Sequence, residues 1–341
     1  MSLAGLPGRL IENPSAAGGH PNEDVLSNVL RTVRLSGSVQ FCLMPSGTWR
    51  TEGRVGLASL AADPSKAIPF HILVEGACWL TVEGREMPLA AGDVVAFPIA
   101  TSHQLGVGAS GRPVSPVKDL PPKPWRTVPI LRYGDGPAST RLLCGYLQCD
   151  ALNFRPLREA LPSLLHARAG PAGQSWLRAT IDQIVAEVDN PRSGGQSMLE
   201  RLTEITFIEL LRQQIGSSKP GATGWLAALG DPSLGRCLAA IHDDPKRSWS
   251  LPALATSSGL SRSALNERFE TVLDTSPMRY VREWRLHLAG VALGTTTKSI
   301  GTIADDAGYG TEAAFNRAFS RAYGVPPAAW RRNARRGPTQ A

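Results

Sequence analysis

The residue types suited to covalent or metal chemistry are thinly spread along this chain. The five cysteines, Cys42, Cys78, Cys144, Cys149 and Cys237, are odd in number and form no CxxC pair, so neither a disulfide framework nor a zinc site is expected. They read as reduced thiols in mostly apolar, strand-like surroundings. A redox role for Cys42, Cys78 or Cys144 would need an exposed thiol of lowered pKa, and the sequence places no obvious cation beside Cys78. No Ser/His/Asp or paired-carboxylate constellation is visible. No enzyme activity and no cofactor are expected on these grounds.

A different chemistry is written twice in the C-terminal third. The segment Leu254 to Leu260 aligns with Ile303 to Tyr309, and Ser261 to Phe269 aligns with Thr311 to Phe319, about fifty residues further on. The second half of each copy carries amide and charged side chains: Asn266 and Glu267 in one, Asn316 and Arg317 in the other. An arginine fork matches guanine O6 and N7, an asparagine amide matches adenine, and a glutamate accepts from the cytosine amino group.

Such side chains read bases only if rigid elements hold them. The small residues Ala255 and Ala304 let two helices approach, Gly259 and Gly308 supply the sharp turn between them, and Ser261 and Thr311 cap the second helix. Leu265 with Phe269, and Phe315 with Phe319, lie four residues apart and anchor that helix by one face, leaving the other for DNA. Each copy is therefore one helix-turn-helix. Between them Ser276-Pro277 opens a helix with apolar Met278, Tyr280, Val281, Trp284, Leu286, Leu288 and Val291 ahead of Gly294. Its span of about 25 Å holds two reading helices near the ~34 Å repeat of the duplex. Asp231-Pro232 marks the start of the domain. Residues 231–341 hold 15 Lys/Arg against 10 Asp/Glu, so most of the +7 formal charge lies where phosphate attraction needs it.

These motifs, together with Asp231 to Arg236, Ser276-Pro277-Met278-Arg279-Tyr280, Trp284-Arg285-Leu286 and Gly324-Val325-Pro326-Pro327, resemble the DNA-binding domain of the AraC family of transcription regulators over residues 231–333. The resemblance implies that Ser263, Asn266 and Glu267 on one helix, and Glu312, Ala313, Asn316 and Arg317 after Thr311 on the other, face the major groove. Arg262 is placed for phosphate, as are Arg331 and Arg332 toward the basic tail, 334–341. Double-stranded DNA is the implied partner, with RNA polymerase a candidate.

Upstream, residues 1–24 read as a flexible lead-in. Residues 25–150 show short apolar strands about ten residues apart, interrupted by a Pro-rich loop from Arg112 to Pro129. Phe70 to Gly76, Cys78-Trp79, Gly92 to Pro98, Ser102-His103 and Arg141 to Gly145 resemble the cupin-type effector domain of one branch of AraC regulators. A barrel of this kind can enclose one small ligand, and His71, Trp79 and His103 are the candidate effector-binding residues. Metal-binding cupins offer a His-x-His pair and a Glu where this chain reads Asp63-Pro64-Ser65 to Pro69, so His71 and His103 are at most a two-ligand site and no metal is expected. A cupin metalloenzyme fused to a DNA-targeting domain is the alternative.

Residues 151–218 turn helical, with apolar repeats from Trp176 to Val188 and from Met198 to Ile215 on either side of a break at Asn190 to Gly195. They form a connector that either packs on the barrel or joins a homodimer, followed by a linker, 219–230. The expected fold is multidomain α+β: an N-terminal cupin-like antiparallel β-barrel, a helical connector and a C-terminal all-α double helix-turn-helix. No signal-peptide core or membrane-length apolar run is seen, so a cytoplasmic regulator answering to an unidentified small effector is expected.

Overall fold

The computed structural model describes residues 25–32, 35–51, 60–61, 66–99, 101–149, 154–170, 176–216 and 221–336. The lead-in 1–24, the Asp63-Pro64-Ser65 stretch and residues 337–341 of the tail lie outside them.

After helix α1 (Val25–Thr32), the chain builds β1 (Leu35–Pro45), β2 (Trp49–Thr51), β3 (Ala67–Val82), β4 (Arg85–Ala90), β5 (Asp93–Ala96), β6 (His103–Val107), β7 (Arg112–Val114), β8 (Ile130–Tyr133) and β9 (Thr140–Cys149). The main path runs β7-β2-β6-β3-β9-β1-β8, with β4 and β5 also on β3. β3 is the backbone of the barrel: its first half pairs with β9 and β5, its second half with β4 and β6. Such double use requires a long strand that bends, and the register with β9 shifts between Leu73 and Glu75. Before the bulge, His71 and Leu73 face the interior; after it, Cys78, Leu80 and Val82 do. The interior is closed by Phe41, Leu43, Phe97, Leu105 and Leu142, whereas Phe70, Ile72 and Leu143 point outward to the helices.

Helix α2 (Arg155–Ala160), strand β10 (Leu165–Arg168), helix α3 (Trp176–Asp189) and helix α4 (Gly195–Gly216) follow. The predicted all-helical connector thus contains a strand, which pairs with β5. The buried carboxylate of Asp93 explains why it stays there: Arg168 donates to it at 2.8 Å, His166 lies 3.3 Å away, and the Ala90 amide donates at 2.8 Å. The Pro-rich run likewise begins with a strand, β7, in parallel register with β2. α3 and α4 are the two predicted amphipathic helices, and α4 lies across β1 and β10 with Leu199, Thr203, Phe207 and Leu210 buried. Arg141 of β9 pairs with Asp189 and ties the end of α3 to the barrel.

The C-terminal domain comprises α5 (Trp225–Gly230), α6 (Pro232–Asp243), α7 (Leu251–Ser258), α8 (Arg262–Leu273), α9 (Pro277–Thr295), α10 (Ile300–Asp306), α11 (Glu312–Tyr323) and α12 (Pro327–Arg336). α5 occupies the predicted linker, and α12 carries helix to Arg336, three residues into the predicted tail. Asp231 caps α6 through the Ser233 and Leu234 amides, as its position before Pro232 predicts.

Burial divides this domain unequally. Leu234, Leu254, Leu265 and Phe269 of the first unit belong to one core that continues through α5 and α3 to the outer face of the barrel. The second unit has its own core of Leu286, Leu293, Ile303, Phe315 and Phe319. The junction is made by Phe154, which packs edge-on against Tyr280 and Trp284 and lies against His287, with centroids 5.7, 5.1 and 5.4 Å away. Truncating a buried phenylalanine costs about 3–5 kcal/mol. Phe154→Ala is therefore expected to lower the melting temperature and, because Phe154 spans the barrel side and α9, to separate one calorimetric transition into two; one undivided transition would show that the junction does not depend on this ring.

Candidate nucleic-acid interface and barrel site

The two helix-turn-helix units are built alike. Gly259 and Gly308 close the turns at φ +71 and +77, values that favour glycine. Ser261 Oγ accepts from the Ala264 amide and Thr311 Oγ1 from the Ala314 amide, each at 3.2 Å, so α8 and α11 start where the capping residues predict. Leu265, Phe269, Phe315 and Phe319 are fully buried. With that face anchored, the opposite face is held outward: Arg262, Ser263 and Glu267 are exposed on α8, Thr311, Glu312, Ala313 and Arg317 on or before α11, while Asn266 and Asn316 are half-buried at the edges of the two faces. Arg331 and Arg332 stand on α12 rather than in a tail. Arg331 donates to the Lys298 carbonyl at 2.6 Å, and Arg332 is exposed to solvent. Arg268, also exposed, is committed to Asp231 at 2.5 Å.

Inside the barrel, His71 and His103 meet, with Nε2 atoms 2.7 Å apart. His103 Nδ1 lies 2.9 Å from the Thr101 carbonyl, and a carbonyl only accepts, so Nδ1 carries the proton of the neutral ring. His103 Nε2 is then the acceptor and His71 Nε2–H the donor. His71 Nδ1 is left bare to accept from the Cys144 thiol, 3.0 Å away. The result is one directed chain, from Cys144 through His71 and His103 to Thr101, under a Phe97 ring stacked 3.6 Å from His103. Burial holds His71 well below the usual histidine range, helped by His103, and takes His103 down to about 4; both rings are neutral. Burial also pushes the Cys144 thiol well up, and Cys78 up to about 12.

These donors do not fit a metal centre. Two imidazoles bound to one tetrahedral ion stand roughly 3.3 Å apart, and here their lone pairs are committed to hydrogen bonds. Among the described residues no group of three or more His, Cys, Asp or Glu could hold a metal ion. Trp79 does not join the pair. The bulge after Leu73 turns it to the outer face, where its indole N–H donates to the Gly108 carbonyl at 3.1 Å and its ring borders a shallow groove with Met87 and Pro88. All five cysteines are buried, with Cys42 on the outer face of β1 and Cys144 on the inner face of β9.

Comparison with known proteins accords with both halves of this architecture. A cupin family profile matches residues 24–216, more than half of the chain, and a helix-turn-helix domain profile matches residues 254–333. A putative AraC-like transcription regulator of Streptomyces lividans is 29% identical over 315 residues, covering 91% of this chain and 98% of that protein. The chain belongs to the AraC-like transcription regulators. The HTH-type transcriptional regulator AlkR of Acinetobacter baylyi is 28% identical over 323 residues, 90% of this chain and 99% of its own. Among solved structures, ToxT from Vibrio cholerae covers 88% of this chain and 97% of its own at 10% identity, with a TM-score of 0.36. No helix among the described residues is long and apolar enough to cross a membrane.

In this AraC-like regulator a second polar cluster, absent from the sequence reading, lies beneath the first unit. Trp225 Nε1–H donates to Tyr280 Oη at 2.8 Å, and Tyr280 in turn donates to His242 Nε2 at 2.8 Å. Trp284 is stacked between His242 and His287. Burial takes His242 down to about 3, with His287 contributing, and His287 itself down to about 4. These histidines and the barrel pair are neutral when folded, whereas an unfolded histidine titrates near 6.5. As pH falls from about 6.5 toward 4, the unfolded chain takes up protons that the folded chain refuses, and stability is lost at up to about 1.4 kcal/mol per pH unit for each histidine. The urea midpoint is expected to fall between pH 7 and pH 5, and His287→Phe to flatten that fall; a midpoint unchanged across this range would contradict the neutral assignment.

Proposed function

We propose that this regulator reads duplex DNA with α8 and α11 placed in successive major-groove segments. The observation that carries the reading is the pairing, twice over, of a fully buried aromatic or leucine anchor with an exposed polar face on the same capped helix. On α8, Ser263, Asn266 and Glu267 meet base edges and Arg262 a phosphate. On α11, Glu312, Ala313, Asn316 and Arg317 meet bases, with Thr311 at the helix start. Arg332 takes a phosphate, while Arg331, engaged with the Lys298 carbonyl, steadies the loop that precedes α10.

Arg317 is exposed and no intramolecular ion pair in the described set claims it, so its fork is available for guanine. Arg317→Ala is expected to cost about 1–3 kcal/mol and to relax preference at one base pair, whereas Arg332→Ala weakens all sequences alike and lowers the salt slope by about one. Binding to a panel of single-base variants at two salt concentrations distinguishes the two. A uniform loss for Arg317→Ala would make it a phosphate ligand instead.

The barrel is the effector domain in this reading, with His103 and His71 at its polar spot. Ligand capture is favoured over thiol chemistry because the cysteines are buried and burial raises Cys42, Cys78 and Cys144. The metalloenzyme alternative has no support in the donor geometry or in the relatives, which are regulators. RNA polymerase remains a candidate partner with no residue assigned to it. For self-association the supporting feature is an apolar stripe on the outer face of α4, where Met198 and Ile205 are 45% and 40% exposed with Leu202 between them. Residues at this heptad-like spacing suit a second copy of the same helix. Wild-type protein is expected to sediment as a dimer and Ile205→Glu as a monomer with unchanged circular dichroism; a monomeric wild type would remove this interface.

A further inference from the structure

The repeat that makes the two units alike breaks at one arginine. Arg236 precedes Gly259 by 23 residues, and Arg285 precedes Gly308 by 23 residues, so the two occupy equivalent places on α6 and α9. In the first unit Arg236 stays at home: it donates to the Ser258 carbonyl at the end of α7 at 2.7 Å, next to the turn glycine. Arg285 also lies against its own turn glycine, with Nη1 2.8 Å from where a Cβ on Gly308 would stand. Its hydrogen bonds, however, go to the other unit. Nε donates to the Pro245 carbonyl and Nη2 to the Arg247 carbonyl, both at 2.7 Å, in the loop between α6 and α7.

The same loop is fastened a second time. Lys246, between those two carbonyls, pairs with Asp306 at the end of α10 at 2.6 Å, and Lys298 holds the other oxygen of Asp306 at 2.8 Å. The contacts differ in strength. The rigid guanidinium fork suits two carbonyls at fixed separation, as a lysine ammonium on a flexible stem does not. The Lys246–Asp306 pair is largely exposed and contributes less.

Leverage explains why this junction matters. A helix of 19 residues spans about 28 Å. A rotation of roughly 10° about one end of α9 would displace a reading helix at the far end by ~5 Å, more than the ~3.4 Å between base pairs. α9 alone, joined to each unit on different turns, leaves that rotation resisted by side-chain packing only.

Resting on the DNA-binding reading above, we infer that Arg285, supported by Lys246 and Asp306, is a positioning clamp that sets the angle between α8 and α11 and so selects the base-pair spacing between the two half-sites. The full-length chain is first used to select duplexes from a random pool. The selected site is then remade with one or two base pairs inserted or deleted between its halves, and with either half scrambled. Wild type shows a sharp optimum in spacing. Arg285→Met and Arg285→Lys bind single-half duplexes within about twofold of wild type, lose about tenfold or more on the intact site, and show a broadened optimum. A sharp optimum retained by both variants overturns the clamp, as does equal loss on single and double sites, which would mark Arg285 as a phosphate ligand. Should the Arg285 variants not fold, Lys246→Asp and Asp306→Lys decide the question: each alone broadens the optimum and the two together sharpen it again, and unchanged profiles in both single variants overturn the proposal. A wild-type chain that selects no sequence defeats the DNA-binding reading itself, whereas a selected site without spacing preference defeats the clamp alone.

Discussion

Helix α9 is buried in two cores at once, and the arrangement of everything on either side follows from that sharing. Tyr280, Val281 and Trp284 near its start belong to the core of the first unit; Leu286, Ala289 and Leu293 further along belong to that of the second. A helix cannot slide or roll in one packed environment without disturbing the other, because interiors at crystal-like density tolerate little displacement. The rise between its two sets of anchors is therefore a fixed ruler between α8 and α11. Trp330 of α12 reinforces the second end, its indole N–H donating to the Gly290 carbonyl at 2.9 Å.

The cupin barrel meets α9 near the start of that helix. Its continuous core reaches α9 through Phe154 and α5, and α1 packs on α6. Among the described residues, the second unit is joined to the first through α9 and the contacts of the α6–α7 loop. Any change in the barrel that moves α2 must pass through the aromatic cluster of Tyr280, Trp284 and His287 before it alters the DNA-reading geometry. The buried, unpaired His242 Nδ1 and His287 Nε2 in that cluster make it polar enough to be costly to rearrange and apolar enough to exclude charge.

Much of the C-terminal domain was legible because its determinants are local. Ser261, Thr311, Asp231, Gly259 and Gly308 act within a few residues of themselves, and a cap or a positive φ can be read from residue type and spacing alone. The barrel was legible in rhythm but not in facing. One bulge after Leu73 exchanges the faces of β3, which is why Trp79 lies outside while His71 lies inside, and nothing in the alternation of types announces it. β10 was hidden for another reason: Leu165–Arg168 is four residues long and borrows its stability from Asp93, more than seventy residues earlier. Arg331, read as part of a basic tail, is a helix residue bound to the Lys298 carbonyl, a partner no local pattern could supply.

The chain thus uses its charged groups in two distinct ways. Where water is excluded, charge is either paired, as at Asp93 and Arg141, or absent, as in the neutral histidines of the barrel and the aromatic cluster. Where water is present, cations are divided between internal tethers and free ends: Arg268, Arg279 and Lys246 each hold a carboxylate, while Arg262 and Arg317 stand exposed on α8 and α11. This division bears on specificity. A tethered arginine adds little to the field that draws in a polyanion but holds an element in place, and a free one does the reverse. The exposed acidic Glu267 on α8 and Glu312 on α11 further thin the positive field there; under the proposed DNA-binding reading, affinity is supplied around those faces and discrimination is concentrated on them. That separation favours a regulator whose selectivity depends on the relative placement of its two units more than on their combined charge.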